Sequence, residues 1–343
     1  MLPRVFIGGT GRSGTTILYK AIGCHQAIYS LGKEMRFIVD PDGLINLVEA
    51  LTSRYSPVHA QEALFRFERL MCFDLVYPGR PPFLGSNLAE LIGEDYYWKR
   101  LGDFCNQLVE LEYSVPVSQQ PKRYRGYVRD NRIIRLKNRI KRLFKNPAMP
   151  YRITFNWPRS KMRLVKYYSD RSELINLAAA FIDDIFLHAA YQEGKKTWCE
   201  KTPQNVFHVN FLWELFPDSV FVHIKRDPRG VVQSVINQSW GPNTVNDVCI
   251  YLKSMYDRWF EIKKEVDLDQ YRYLEMRLED LAADPSGELE RFALFSDLEN
   301  CFTDIPDIQI EKVNYWQKSL SSAEIQTVNN TLGSYIERLG YTV

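Results

Sequence analysis

The stretch RVFIGGTGRSGTTIL, residues 4–18, constrains the fold more than any other part of the chain. A short apolar run passes directly into Gly8, Gly9, Gly11 and Gly14, then into Thr15, Thr16 and a helical pattern. Strand, glycine turn and helix in immediate succession form the first part of a βαβ unit, which requires a parallel partner strand and two covered faces. Turns of this kind let backbone N–H groups wrap an anion at a helix N-terminus. From Gly9 to Thr16 the chain keeps the register of G-x-x-x-x-G-K-[ST], with Thr15 in the lysine position. That lysine serves the outer phosphates of a triphosphate, and the hydroxyl after it holds magnesium. Without the lysine the loop suits one terminal anionic group, with Arg12 as a cationic fork beside it. On these residues alone a purely structural strand-to-helix turn remains open.

Three further segments read as buried strands: KTWCEKT at 196–202, SVFVHIKR at 219–226 and YRYLEMR at 271–277. Helical patterns cover 14–23, 202–216, 227–238 and 246–266. The alternation predicts an α/β fold, a P-loop-like parallel sheet covered by helices on both faces. The interval between the first strand and residue 196 is too long for one crossover. It reads as an inserted, mostly helical cap over 41–170, within a single domain spanning 1–343. A chain of 343 residues with 45% hydrophobic content can bury a core of that size.

The most apolar helical stretch, 175–190, is interrupted by Asp183 and Asp184 and falls short of the roughly 20 residues of a bilayer span. A strand beginning by residue 4 or 5 leaves no room for a signal peptide. Six scattered cysteines without a CxxC pair indicate neither a zinc site nor a disulfide framework. The expectation is a soluble, cytoplasmic protein with reduced thiols and no metal.

Within the cap, 122–146 carries eleven basic residues against one acid, Asp130, so the rest of the chain is net acidic. Ile133, Leu136, Ile140, Leu143 and Phe144 recur at helical spacing and predict an amphipathic helix over 130–145. Its cationic face fits a solvated surface, or peripheral contact with an acidic glycan or an anionic membrane. Nucleic acid matches on charge alone and is not expected.

A second anion site is written in FVHIKRDPRGVVQSVI, 221–236. Arg226 ends an apolar strand, Asp227 is placed to cap a helix, Pro228 is its first residue, and Ser234 lies two turns in. A strand-end guanidinium and a helix-face hydroxyl at that spacing can close on one dianion. Two anion sites on one sheet imply a ligand with an anion at each end. A surface ion pair and an ordinary helical serine are the plainer readings of the same residues.

Taken together, these segments resemble the sulfotransferases that use 3′-phosphoadenosine 5′-phosphosulfate. GRSGTT (11–16) is similar to that family's 5′-phosphosulfate loop and IKRDPRGVVQSVI to its 3′-phosphate motif. CEKTPQN (199–205), RLEDLAADP (277–285) and KVNYWQKSLSSAEIQTV (312–328) resemble segments of its bacterial and Golgi-type carbohydrate and tyrosylprotein branch. The resemblance covers about the first 38 residues and 196–340, leaving the cap unmatched.

The resemblance implies that Gly11, Arg12, Ser13, Gly14, Thr15 and Thr16 hold the 5′ end of the donor, and Arg226 and Ser234 its 3′-phosphate. Lys312, Lys318 and Trp316 are further donor contacts. Glu34, in GKEMRFI, falls where the family carries its general base, and Lys201 where a cation meets the transferring group; Arg12 joins them as a catalytic cation. The histidines 25, 59, 188, 208 and 223 are rival bases, and His25, nearest in sequence, reads as packing. Leu278 replaces an aromatic residue that the family carries on the adenosine side. The acceptor implied is a hydroxyl, on an acidic glycan or glycolipid before a peptide tyrosine. Aromatic residues of the cap suit such a ligand: Trp98, Tyr124, Tyr127, Trp157, Tyr167 and Tyr168. A P-loop kinase and a non-catalytic member that binds nucleotide or acidic polymer are the alternatives.

Overall fold

The computed structural model describes residues 2–74, 88–114 and 161–343. Its centre is a five-stranded parallel sheet in the order β2 (Ile28–Ser30), β5 (Thr197–Lys201), β1 (Val5–Gly8), β6 (Val220–Lys225), β7 (Arg272–Arg277). Strands β1 and β5 are buried along their whole length, as expected of central strands in a doubly covered sheet. The chain leaves β1, pairs β5 on one side of it, then crosses to place β6 on the other. The loops after β1, β5 and β6 therefore meet at the carboxyl edge of the sheet, where ligands of open α/β sheets bind.

Alternation along the strands feeds two cores. Val5, Ile7, Cys199, Val220 and Val222 pack with the helix Thr15–Gly23 and the helices Leu278–Ala283 and Pro285–Phe295. Phe6, Trp198 and Phe221 pack on the other face with the helices Arg171–Gln192, Val209–Leu215, Val245–Glu265 and Ser322–Arg338. That second core continues without a break into the helices Leu44–Leu51, Pro57–Arg69, Leu88–Ile92 and Glu94–Gln107, which lie between 41 and 170. A two-stranded antiparallel sheet, β3 (Val109–Ser114) with β4 (Lys161–Val165), completes this region. Arg163 on β4 grips Glu68 on the helix Pro57–Arg69 through both terminal guanidinium nitrogens. The basic helix expected over 130–145, with Tyr124, Tyr127 and Trp157, lies outside the described residues.

Three expectations are corrected. The segment 202–216 is not one helix: a 3-10 turn, Pro203–Phe207, is followed at His208 by the α-helix Val209–Leu215. Three short strands, β2, β3 and β4, were not anticipated at all. The apolar stretch around 175–190 belongs to a 22-residue helix, Arg171–Gln192, long and apolar enough to cross a membrane by length and composition. Half of its most apolar window is buried inside the protein. Asp183 accepts from Arg4 at 2.5 and 2.6 Å and from the Trp198 indole at 2.9 Å, while Asp184 accepts from Tyr96 and Arg100. The two carboxylates that interrupt the apolar pattern thus anchor this helix to the sheet and to the helix Glu94–Gln107.

Candidate active site

The loop between β1 and its helix is shaped by close approach. Gly11 and Gly14 take φ of 77° and 100°, and Arg12 between them takes 55°. A Cβ on Gly9 would lie 2.4 Å from Ser13 Oγ and 2.7 Å from the Ile224 carbonyl, and one on Gly14 would lie 2.6 Å from Leu278. Only glycine lets the turn fold this tightly. The Gly9 amide donates to the Pro203 carbonyl at 3.1 Å, which ties the loop to the segment after β5.

Gly14 caps the helix without any side-chain bond; its carbonyl accepts the Ile17 and Leu18 amides, and those of Thr15 and Thr16 precede the first intrahelical bond. Ser13 Oγ is buried and has no hydrogen-bond partner in the protein. A buried hydroxyl without a partner, beneath an amide-rich turn, fits a ligand anion. Thr15 is buried, with its methyl toward Gly9, whereas Thr16 is exposed on the first helical turn.

Lys201 ends β5 beside Ile7 of β1. Its ammonium donates to Glu34 at 2.8 Å and to Thr16 Oγ1 at 3.3 Å, with the Tyr19 ring 6.0 Å away. Lys201 is almost enclosed, its side chain 7% exposed, while Glu34 keeps 33% of its side chain open to solvent. Arg36 pairs with Asp40, and Glu34 pairs with the strand-end lysine. The loop, Lys201 and Glu34 thus form one continuous constellation.

The segment read from the sequence as a second anion site is built differently. Arg226 and Ser234 do not join directly. Ser234 Oγ accepts from Arg12 Nε at 3.0 Å, so Arg12 reaches across to the Ser234 helix instead of staying beside Lys201. The Arg226 guanidinium donates to the carbonyls of Arg12 at 3.3 Å, Val313 at 2.7 Å and Lys312 at 3.5 Å. Its Nε is buried without a partner. Asp227 caps the helix Pro228–Ile236 as expected and binds the Arg229 guanidinium from the same carboxylate.

Trp316 packs over Arg229, 4.4 Å from ring centre to guanidinium, and approaches Gly230. It closes the arginine side of this site, while Lys312, Lys318 and Tyr315 are exposed. Leu278, which replaces the expected aromatic, is 2% exposed and packs beneath Gly14.

The histidines are occupied elsewhere. His25 is buried, accepting the Ala27 amide on Nδ1 and facing the Glu299 carbonyl with Nε2. His223 is buried on β6 against Tyr273 and Trp259, and burial pushes its pKa down to about 4. His59 faces the Arg54 carbonyl, and His188 stacks on Tyr96. Burial lowers the pKa of His208, at the break after the 3-10 turn.

The part played by one residue of the site is not legible in the sequence. Glu200, before Lys201, is fully buried and accepts hydrogen bonds from the Met35 amide, Thr202 and Asn205. A carboxylate inside the fully buried strand TWCEK was the available signal.

A parallel α/β protein with an amide-rich loop and two flanking cationic sites at its strand ends is the class defined by this arrangement. The chain belongs to the sulfotransferase family, whose family model matches residues 123–304. It is 29% identical over 175 residues to the omega-hydroxy-beta-dihydromenaquinone-9 sulfotransferase Stf3 of Mycobacterium bovis, and equally to that of Mycobacterium tuberculosis. Those matches cover 46% of this chain and 44% of each relative, so the chain spans about half the length of the curated relatives it matches. Among solved structures, the sulfotransferase domain of the Synechococcus PCC 7002 olefin synthase superposes with a TM-score of 0.49 at 13% identity, covering 96% of this chain and 94% of that one. Sulfotransferase STF9 from Mycobacterium avium gives 0.40 at 15% identity, covering 100% and 78%. Among the described residues no group of histidine, cysteine and carboxylate side chains is arranged to hold a metal ion.

Proposed function

We propose that this protein transfers the sulfuryl group of 3′-phosphoadenosine 5′-phosphosulfate to an acceptor hydroxyl, with Glu34 as the general base. The observation that carries this reading is the contact of Glu34 with Lys201 at 2.8 Å, beside Thr16 at the mouth of the amide loop. In an in-line transfer the acceptor oxygen bonds to sulfur as the sulfur–oxygen bond to the 5′-phosphate breaks. Glu34 takes the hydroxyl proton, and adenosine 3′,5′-bisphosphate leaves with the charge. Lys201 is placed to meet that charge, where a preorganised cation in a partly dry site is most effective. Backbone amides at 11–16 cradle the 5′ group, and Arg12 with Ser234, flanked by Arg226, presents donors for the 3′-phosphate.

The acceptor we favour is a hydroxyl of a carbohydrate or glycolipid, ahead of a peptide tyrosine. A hydroxylated lipid in the printed name of the mycobacterial relatives is in keeping with such an acceptor. In the insertion, Tyr167 is 57% exposed and available to a ligand, whereas Trp98 and Tyr168 are buried. Cytoplasmic location, with peripheral membrane contact through 130–145, remains part of the proposal. A P-loop kinase is the less favoured reading, because Thr15 stands where the phosphate-binding lysine would be.

The test is Glu34→Gln. Binding of adenosine 3′,5′-bisphosphate, followed by calorimetry, stays within about twofold, while transfer of labelled sulfate from the donor to hydroxylated acceptors in extracts falls by about 10²–10⁴-fold. Full transfer activity in that variant ends the assignment of the base. Stabilisation by ATP with magnesium, and none by adenosine bisphosphate, ends the assignment of the donor.

A further inference from the structure

A fully buried carboxylate is costly unless its lone pairs are taken up. In Glu200, Oε1 accepts the Met35 amide at 3.0 Å and the Thr202 hydroxyl at 2.7 Å, and Oε2 accepts Asn205 Nδ2 at 2.6 Å. Asn205 Nδ2 also donates to the Ile7 carbonyl at 3.1 Å. One side chain therefore gathers the end of β1, the end of β5, the 3-10 turn and the amide immediately after Glu34.

Register gives this cluster its geometry. Glu200 lies opposite Phe6 and Lys201 opposite Ile7, so the two side chains leave opposite faces of the sheet. Residues 34 and 35 straddle the end of β5. Glu34 meets Lys201 on one side, and the Met35 amide meets Glu200 on the other. The segment 31–35 belongs to no helix or strand, and Gly32 within it has a φ of 77°. Its backbone takes its place from contacts such as this one, not from a regular ladder.

We propose that Glu200 is a positioning residue, its carboxylate fixing the Met35 backbone and thereby holding Glu34 against Lys201. The catalytic meaning of this inference rests on the proposed sulfuryl transfer; the positioning itself rests on the geometry alone. Glu200→Gln disturbs the arrangement whichever way the amide turns: its NH2 meets either the Met35 amide or Asn205 Nδ2, and turning the Asn205 amide to accept it gives up the bond to the Ile7 carbonyl. Glu200→Asp keeps the charge but is one methylene too short to reach the Met35 amide.

Amide hydrogen exchange on the full chain without ligand is the first measurement. Both variants speed exchange in peptides spanning 32–36 by about tenfold or more, while Thr15–Gly23 and β6 keep their wild-type protection. Unchanged exchange at 32–36 overturns the proposal. The second measurement pairs calorimetric binding of adenosine 3′,5′-bisphosphate with turnover of labelled donor. Misplacing a reacting group by about 1 Å costs up to about 10²-fold, so kcat drops by about 10–10²-fold while donor KM and bisphosphate affinity stay within about twofold. Equal losses in binding and kcat mean a general structural role and overturn it. If the wild-type protein binds no adenosine bisphosphate, the functional reading falls, and the exchange comparison still decides the positioning.

Discussion

Glu200 and His223 lie on the two strands that flank β1, and burial moves their proton affinities in opposite directions. Burial raises the Glu200 pKa to about 7, against the pull of its bonds from Thr202, Asn205 and Met35. Burial lowers that of His223 to about 4, against the pull of Glu275. For Glu200 the native state binds the proton more tightly than the unfolded chain, so stability is lost as pH rises from about 4.5 to about 7. For His223 the native state binds it less tightly, so stability is lost as pH falls from about 6.5 to about 4. Each titration changes stability by about 3 kcal/mol in total, and in the wild type the two oppose one another where their pH windows overlap. Urea midpoints of Glu200→Gln will therefore rise more steeply than those of the wild type between pH 5 and pH 7. Parallel curves would mean that Glu200 is ionised throughout. At the same scale, Lys201→Ala is expected to lower kcat by about 10²–10³-fold, with bisphosphate affinity changing by less than about tenfold. A loss confined to affinity would remove Lys201 from the chemistry.

Among the elements, the loop 9–14 is the one whose backbone leaves least choice. Gly14 combines a φ of 100° with a position whose Cβ would press on Leu278 at 2.6 Å. Gly14→Ala is expected to cost about 2–3 kcal/mol, read as a lowered denaturation midpoint, and to weaken binding of adenosine bisphosphate. Adding Leu278→Ala will recover only part of the stability, because removing the side chain leaves the strained φ in place. Complete recovery would show that the contact, not the dihedral, makes glycine necessary. The strand, turn and helix around this loop were legible because glycine spacing and continuous apolar runs are local signals. Strand β2 was not, since three residues carry too little pattern to be read. Nor was the direction taken by Arg12: its bond to Ser234 joins residues 222 positions apart, and spacing within one motif does not encode such a contact. The pairing of Glu34 with Lys201 is equally non-local, and resemblance rather than periodicity brought both residues forward.

At the scale of the whole molecule, Arg226 holds three distant pieces together: the glycine loop through the Arg12 carbonyl, its own strand end on β6, and the C-terminal segment through Lys312 and Val313. Arg229 continues the connection, stacking on Trp316 and donating to the Thr342 carbonyl. The core on the Phe6 face runs from the helices between Leu44 and Gln107 through the sheet to the helix Ser322–Arg338. Such continuity predicts a single cooperative unfolding transition, and two separated transitions in calorimetry would contradict it. A ligand bridging the two proposed anion sites at the strand ends should then stabilise the entire fold at once. Adenosine 3′,5′-bisphosphate at 100 times its Kd supplies about 2.7 kcal/mol, which for a chain of this length raises Tm by about 4 °C. Arg226→Lys retains the charge but not the planar fork that reaches several carbonyls. Its Tm should fall without ligand, and the rise on adding bisphosphate at the same concentration should shrink to less than half. A normal ligand-induced rise in a destabilised Arg226→Lys protein would restrict this arginine to bracing the fold and leave Arg12 and Ser234 as the 3′-phosphate contacts.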